Sequence, residues 1–144
     1  GLAHARLADV EAGEGPLPEV VVVDRVGVLA ELYAVADIAY VGGGFHSAGL
    51  HSVVEPAALG VPVLFGPRFG NAREADDLAW VGGGSVVRDT AEIADALIRL
   101  AGDRAAREAG GAAAVEFVRS RLGGAERNAA LVVGLLDGRA VAAT

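Results

Sequence analysis

Residues 38–44 read Ile-Ala-Tyr-Val-Gly-Gly-Gly, a short apolar run that stops at three glycines. A run of this kind predicts a buried strand that ends in a loop. Just upstream, apolar residues recur at helical spacing and predict a helix before the strand: Val28, Leu29, Leu32, Tyr33 and Val35. The stretch therefore predicts the order helix, strand, glycine loop.

The same alternation extends in both directions. Residues 20–23 are four valines, a β-branched run typical of a strand buried on both faces of a parallel sheet, and they form the first predicted strand. Downstream, a helix predicted at residues 53–59 precedes a strand predicted at residues 61–65. A helix predicted at about residues 72–81 precedes a strand predicted at residues 85–87. Gly82, Gly83 and Gly84 follow the second of these helices and are interpreted as its end.

Beyond Arg88 the apolar spacing is helical throughout. It predicts one helix from about Thr90, a second from Asp103 to Arg121 and a last one over about residues 125–136. Alternating strands and helices imply right-handed crossovers and a doubly wound layer. We therefore predict an α/β fold, a Rossmann-like parallel sheet with flanking helices and a helical carboxyl terminus.

Composition narrows the possible functions. The chain has 144 residues, 53% of them hydrophobic, which predicts a single folded domain over residues 1–144. Twelve basic and nineteen acidic residues give a net charge of −7, which argues against nucleic acid as a partner. All twelve basic residues are arginine and cysteine is absent, so a Schiff-base lysine, a Walker-type lysine, a reactive thiolate and cysteine-ligated zinc are excluded. No apolar run is long enough to span a bilayer. Because the sequence opens without methionine, we expect a piece of a longer protein.

Ligands of open α/β sheets bind at the carboxyl ends of the strands, so the loops there are the candidate sites. The first loop contains Gly42, Gly43 and Gly44 and leads through His51 and Ser52 into a predicted helix. Glycines let a backbone approach a phosphate closely, and free N–H groups at a helix start bind anions. The spacing matches neither the dinucleotide fingerprint nor the P-loop. The loop therefore predicts an anion site of no identified class.

Ser52 and Glu55 admit two interpretations. Their spacing matches a capping box, in which each side chain bonds the other residue's backbone N–H. Alternatively, Glu55 follows a glycine loop at a strand end, where its carboxylate could accept hydrogen bonds from sugar hydroxyls. Position favours the second interpretation modestly.

The histidines of this loop, His46 and His51, are five residues apart and lack a third ligand, so no metal site is predicted. We expect them to donate hydrogen bonds or to carry positive charge near an anion.

The second loop, residues 65–74, supplies Arg68 and Arg73 as the cations best placed near an anion, and Phe69 as a ring for base stacking. Asn71 is interpreted either as a ligand residue or, slightly favoured, as the cap of the following helix.

The segment His51-Ser52-Val53-Val54-Glu55-Pro56-Ala57-Ala58, followed by Leu59-Gly60-Val61-Pro62-Val63-Leu64-Phe65-Gly66-Pro67 and preceded by Gly42-Gly43, resembles the carboxyl-terminal half of bacterial Kdo (3-deoxy-D-manno-octulosonic acid) transferases. More broadly, Glu55 followed by Ala-x-x-Gly-x-Pro is similar to the donor-binding helix of GT-B glycosyltransferases. Ser52 stands where the family usually has asparagine.

The resemblance implies a function. It implies an inverting GT-B enzyme that transfers Kdo from CMP-Kdo to a lipid A precursor during lipopolysaccharide synthesis, with no metal or cofactor. This chain would be the donor half, expected to lack its first strand and helix, and inactive alone. The acceptor-binding amino-terminal domain would carry the catalytic base, so no catalytic residue is assigned here. The whole enzyme would be cytoplasmic, at the inner face of the bacterial inner membrane. The implied donor-binding residues are Gly42, Gly43, Gly44, His51, Ser52, Glu55, Pro67 and Asn71.

Two other functions remain open. The chain could belong to another GT-B protein of envelope synthesis, a UDP-sugar transferase or an epimerase, because its motifs do not determine which nucleotide is bound. It could also be a non-catalytic assembly module that binds a partner domain through an apolar helical surface.

Overall fold

The computed structural model describes residues 1–13, 15, 16 and 18–136. The chain divides into two compact units, one from Gly1 to Leu32 and one that begins at Tyr33. Each unit holds its own parallel β-sheet. The site predicted from the sequence lies wholly in the second unit.

The first unit contains a two-stranded parallel sheet. Strand β1 (His4–Arg6) leads into helix α1 (Leu7–Glu11), and β1 pairs with β2 (Val20–Val22). Strand β1 was not predicted, because a strand of three residues is too short to show an alternation of apolar and polar side chains.

The strand at the valines was predicted correctly, but the prediction that both of its faces are buried was wrong. Val20, Val21 and Val22 are 38%, 40% and 45% exposed. The physical reason is that the sheet has two strands and only a five-residue helix of its own unit to pack on it. A run of valines indicates a strand, and it carries no information about which elements cover that strand.

Helix α2 (Leu29–Ala34) crosses the boundary between the units. The second unit then alternates β3 (Ala39–Val41), α3 (Val54–Ala58), β4 (Val63–Phe65), α4 (Arg73–Trp80) and β5 (Gly84–Val86). The three strands are parallel in the order β3-β4-β5, with Phe65 opposite both Val41 and Val86. This confirms the predicted α/β fold with a parallel sheet. Since parallel strands all point the same way, their carboxyl ends share one edge.

The core of the second unit is built around its middle strand. Val63, Leu64 and Phe65 are at most 1% exposed, and Val53 and Leu78 are completely buried. A central parallel strand is covered on both faces, which explains why its sequence is continuously apolar. The strand therefore holds its two flanking loops on a rigid base.

Three helices complete the described chain: α5 (Thr90–Gly102), α6 (Arg104–Ser120) and α7 (Gly124–Leu136). Asp89 and Asp103 cap α5 and α6, accepting hydrogen bonds from the Glu92 and Ala106 backbone N–H groups at 2.8 and 3.0 Å. As predicted, a left-handed glycine, Gly82 with φ +83°, follows the end of α4. No helix in the described residues combines the length and the apolar character needed to cross a membrane.

Candidate functional site

The loops that follow β3 and β4 meet at the carboxyl edge of the sheet. The Arg68 backbone N–H donates to the Gly44 carbonyl at 2.9 Å, which joins the second loop to the first. Within the first loop, the His51 N–H donates to the Gly42 carbonyl at 3.1 Å. The two loops that the topology brings to one edge are therefore directly hydrogen-bonded.

Glycine is required where the loops cross. A Cβ atom on Gly44 would lie 2.7 Å from the Gly66 nitrogen, and one on Gly66 would lie 2.5 Å from the Gly44 oxygen. Gly43 has φ +94°, a left-handed conformation that side chains disfavour. The glycines thus serve first to let the two loops pack against each other.

Asn71 connects the same two loops through its side chain. Its Oδ1 accepts from the Leu50 N–H and its Nδ2 donates to the Leu50 carbonyl, both at 3.0 Å. The interpretation of Asn71 as a helix cap was wrong, because α4 begins after Ala72 and has no side-chain cap. Both polar atoms of Asn71 contact the neighbouring loop instead.

The capping box of Ser52 and Glu55 does not form. Helix α3 begins at Val54, the residue at its cap position is Val53, and no side chain caps it. The motif fails because the helix starts one residue later than the box requires. The carboxylate of Glu55 is exposed, and among the described residues it makes no hydrogen bond or ion pair. Of the two interpretations of this pair, the cap is therefore excluded by the structure.

Several polar groups at this edge have no protein partner within the described part of the chain. They include the backbone N–H groups of Gly43 and Gly44 and the Ser52 hydroxyl. The exposed ring of His51 lies beside Gly42, about 4.0 Å from where a Cβ would be, and Pro67 is exposed on the second loop. Hydrogen-bond donors and an acceptor of these kinds can bind an anion and hydroxyl groups.

Tyr33 is close enough to Glu55 to be affected by its charge, and the sequence did not indicate Tyr33 as a site residue. Partial burial raises the pKa of the Tyr33 hydroxyl, and the negative charge of Glu55 raises it further. In the sequence, Tyr33 is only one member of the apolar stripe of α2, so no local signal indicates its place beside Glu55.

The arginines of the second loop are separated by the structure. Arg68 lines a cavity of about 230 Å³ together with His46, Gly49 and Asn71. Arg73 lines a different cavity, which also contains Asp76 and Asp77. The sequence reasoning could not distinguish the two arginines, because both lie within a few residues of the same strand end.

Phe69 packs inward. Its ring meets that of Phe65 edge to face, with 5.4 Å between the ring centroids, and the residue is packed against the core.

Within the described residues, no group of three or more His, Cys, Asp or Glu side chains is arranged to hold a metal ion.

No family model matches the chain, but several proteins of the same description are similar to it in sequence. It is 33% identical over 88% of its length to a 3-deoxy-D-manno-octulosonic acid transferase of Bordetella pertussis. It is 39% identical over 57% of its length to the enzyme of that name from Aquifex aeolicus, and 38% identical over 62% to that from Chlamydia pneumoniae. The chain spans 30%, 24% and 21% of these three relatives, respectively.

A solved structure shares the fold. The crystal structure of the C-terminal CMP-Kdo binding domain of WaaA from Acinetobacter baumannii matches with a TM-score of 0.71 and 25% identity. The match covers 81% of this chain and 61% of the other.

Proposed function

Because this chain is related in sequence and fold to the carboxyl-terminal part of the Kdo transferases, as its motifs predicted, we propose that it is the donor-binding domain of a glycosyltransferase. The observation that carries the proposal is the structural match to a CMP-Kdo binding domain. The donor is then CMP-Kdo, and the acceptor of the full-length enzyme is a lipid A precursor. The chain is then part of an enzyme that also has an amino-terminal domain, and the full-length enzyme is associated with the inner face of the bacterial inner membrane.

The site geometry supports a specific division of roles. The Gly43 and Gly44 N–H groups bind the donor phosphate, since they follow the end of β3 and have no acceptor among the described residues. Helix α3 has only five residues, so its dipole adds little and the loop amides carry most of this interaction. His51 and Ser52 donate hydrogen bonds to the same anion, and Gly42 and Pro67 shape the loops around it.

Glu55 binds the ribose of the nucleotide. Its carboxylate is exposed and unpaired among the described residues, so it can accept hydrogen bonds from two adjacent hydroxyls. No residue of this chain is assigned to the transfer step itself. The chain contributes binding and orientation of the donor, and the chemistry requires the amino-terminal partner.

Glu55→Ala tests the ribose assignment. We expect CMP affinity, measured by calorimetric titration, to fall roughly tenfold, the size of a hydrogen bond to a charged group. Glu55→Gln should retain part of the affinity, because the amide oxygen still accepts. The matched control is Glu116→Ala, which removes an exposed carboxylate from α6. Unchanged CMP affinity in Glu55→Ala would refute the assignment.

Titration of the parent chain with CMP and with UDP tests the choice of nucleotide. Tighter binding of CMP is expected. Preference for UDP would favour the UDP-sugar class, and absence of binding to either nucleotide together with self-association would favour an assembly module.

A further inference from the structure

The cavity beside the second loop has one cation, Arg68, in its lining, and the other titratable group there, His46, accepts a hydrogen bond at Nδ1 from the Ala48 N–H at 3.3 Å. The lining contains no aspartate or glutamate. By contrast, the neighbouring cavity of Arg73 holds two aspartates, so it disfavours an anion.

Arg68 is also unpaired. Six other arginines each form an ion pair with a carboxylate, namely Arg6, Arg25, Arg88, Arg104, Arg107 and Arg121, whereas Arg73, Arg99 and Arg119 form none among the described residues. Within the described residues, Arg68 has no such partner. Its backbone is nevertheless fixed by the 2.9 Å hydrogen bond to Gly44. The guanidinium is therefore a free cation on an anchored loop.

The cavity is small. Its volume of about 230 Å³ is below the roughly 300–1,000 Å³ of pockets that enclose entire small ligands. It suits one functional group of a larger ligand, and an arginine fork matches the two oxygens of a carboxylate.

We propose that Arg68, with His46, forms a subsite for the carboxylate of an acidic donor sugar, next to the phosphate site at Gly43 and Gly44. The inference rests on the proposed function, because it presupposes that a nucleotide sugar binds this edge. It makes Arg68 the residue that selects acidic sugars over neutral ones.

The experiment compares CMP with CMP-Kdo as ligands of the 144-residue chain, by calorimetric titration at low and high salt. The parent should bind CMP-Kdo more tightly than CMP, and Arg68→Gln should lose roughly tenfold of CMP-Kdo affinity while CMP affinity stays within about twofold. The CMP-Kdo affinity of Arg68→Lys should lie between those of the parent and of Arg68→Gln, since lysine keeps the positive charge and lacks the two-pronged guanidinium. The loss should be smaller at high salt.

Arg99→Gln is the matched control, because Arg99 is exposed and lines a cavity at the amino ends of β4 and β5. It should bind both ligands like the parent, and thermal unfolding should show that both glutamine variants are folded. Equal losses for CMP and CMP-Kdo in Arg68→Gln would assign Arg68 to the phosphate and overturn the carboxylate subsite, as would no loss at all. A parent chain that binds neither ligand would refute the proposed function instead.

Discussion

Gly44→Ala should destabilise the chain and abolish most of its donor binding. A Cβ atom at this position would lie 2.7 to 2.8 Å from the nitrogen, Cα and oxygen of Gly66. These are backbone atoms at the end of the buried middle strand, so they cannot move aside as a flexible side chain would. We expect a loss of about 1–3 kcal/mol of unfolding free energy, the usual cost of overpacking. Urea denaturation followed by circular dichroism measures it.

The same change should weaken CMP binding by at least roughly tenfold, since separation of the two loops moves the Gly43 and Gly44 amides by a large fraction of a hydrogen-bond length. Gly70→Ala is the control within the same loop pair. Gly70 has no atom within 4 Å of an added Cβ and no positive φ. It should match or slightly exceed the parent in stability. If Gly44→Ala and Gly70→Ala behave alike, the packing of the two loops through glycine is not required.

Asn71→Ala should be similarly severe for a different reason. The alanine variant loses both hydrogen bonds to Leu50, which is only 6% exposed, so the Leu50 N–H and carbonyl are left without partners. An unsatisfied buried polar group costs about 1–3 kcal/mol. We expect a loss of about 2–3 kcal/mol in unfolding free energy.

Donor binding should fall together with stability in this variant. His51 follows Leu50 directly, so release of Leu50 should also displace His51, which we propose binds the donor. Calorimetric titration should show CMP affinity lowered roughly tenfold.

Two further variants make the Asn71 prediction specific. Asn71→Asp keeps an acceptor for the Leu50 N–H but cannot donate to the Leu50 carbonyl when ionised, so an intermediate loss is expected. Asn128→Ala removes an exposed asparagine from α7 and should change neither property. Parent-like stability of Asn71→Ala would show that the Leu50 pairing is dispensable.

The meeting of the two candidate loops at the carboxyl edge of the sheet was predictable, because it depends on topology. Alternating apolar runs and helices imply parallel strands, and parallel strands place the glycine loop and the Arg68 loop at one edge. The match of β4 to its predicted segment follows from its continuous burial, which leaves a clear apolar signature. Strands β3 and β5 are only partly buried, and they were located by the apolar residues beside the glycine runs.

The contacts between loops were not predictable. Ser52 and Glu55 have the local spacing of a capping box, but the helix begins at Val54, so a short-range motif is overridden by the path of the loop. Asn71 binds Leu50 across 21 residues of sequence, and its side chain could equally have capped a helix. No local pattern separates such alternatives, because the partner is defined only by the folded chain.

The most direct test of the donor site is an NMR titration of the ¹⁵N-labelled chain with CMP. The largest amide shift changes should lie in residues 42–55 and 66–71, at the carboxyl ends of β3 and β4. Changes concentrated instead at the opposite edge, around Pro62, Gly83 and Arg107, would contradict the assignment of donor binding to these loops.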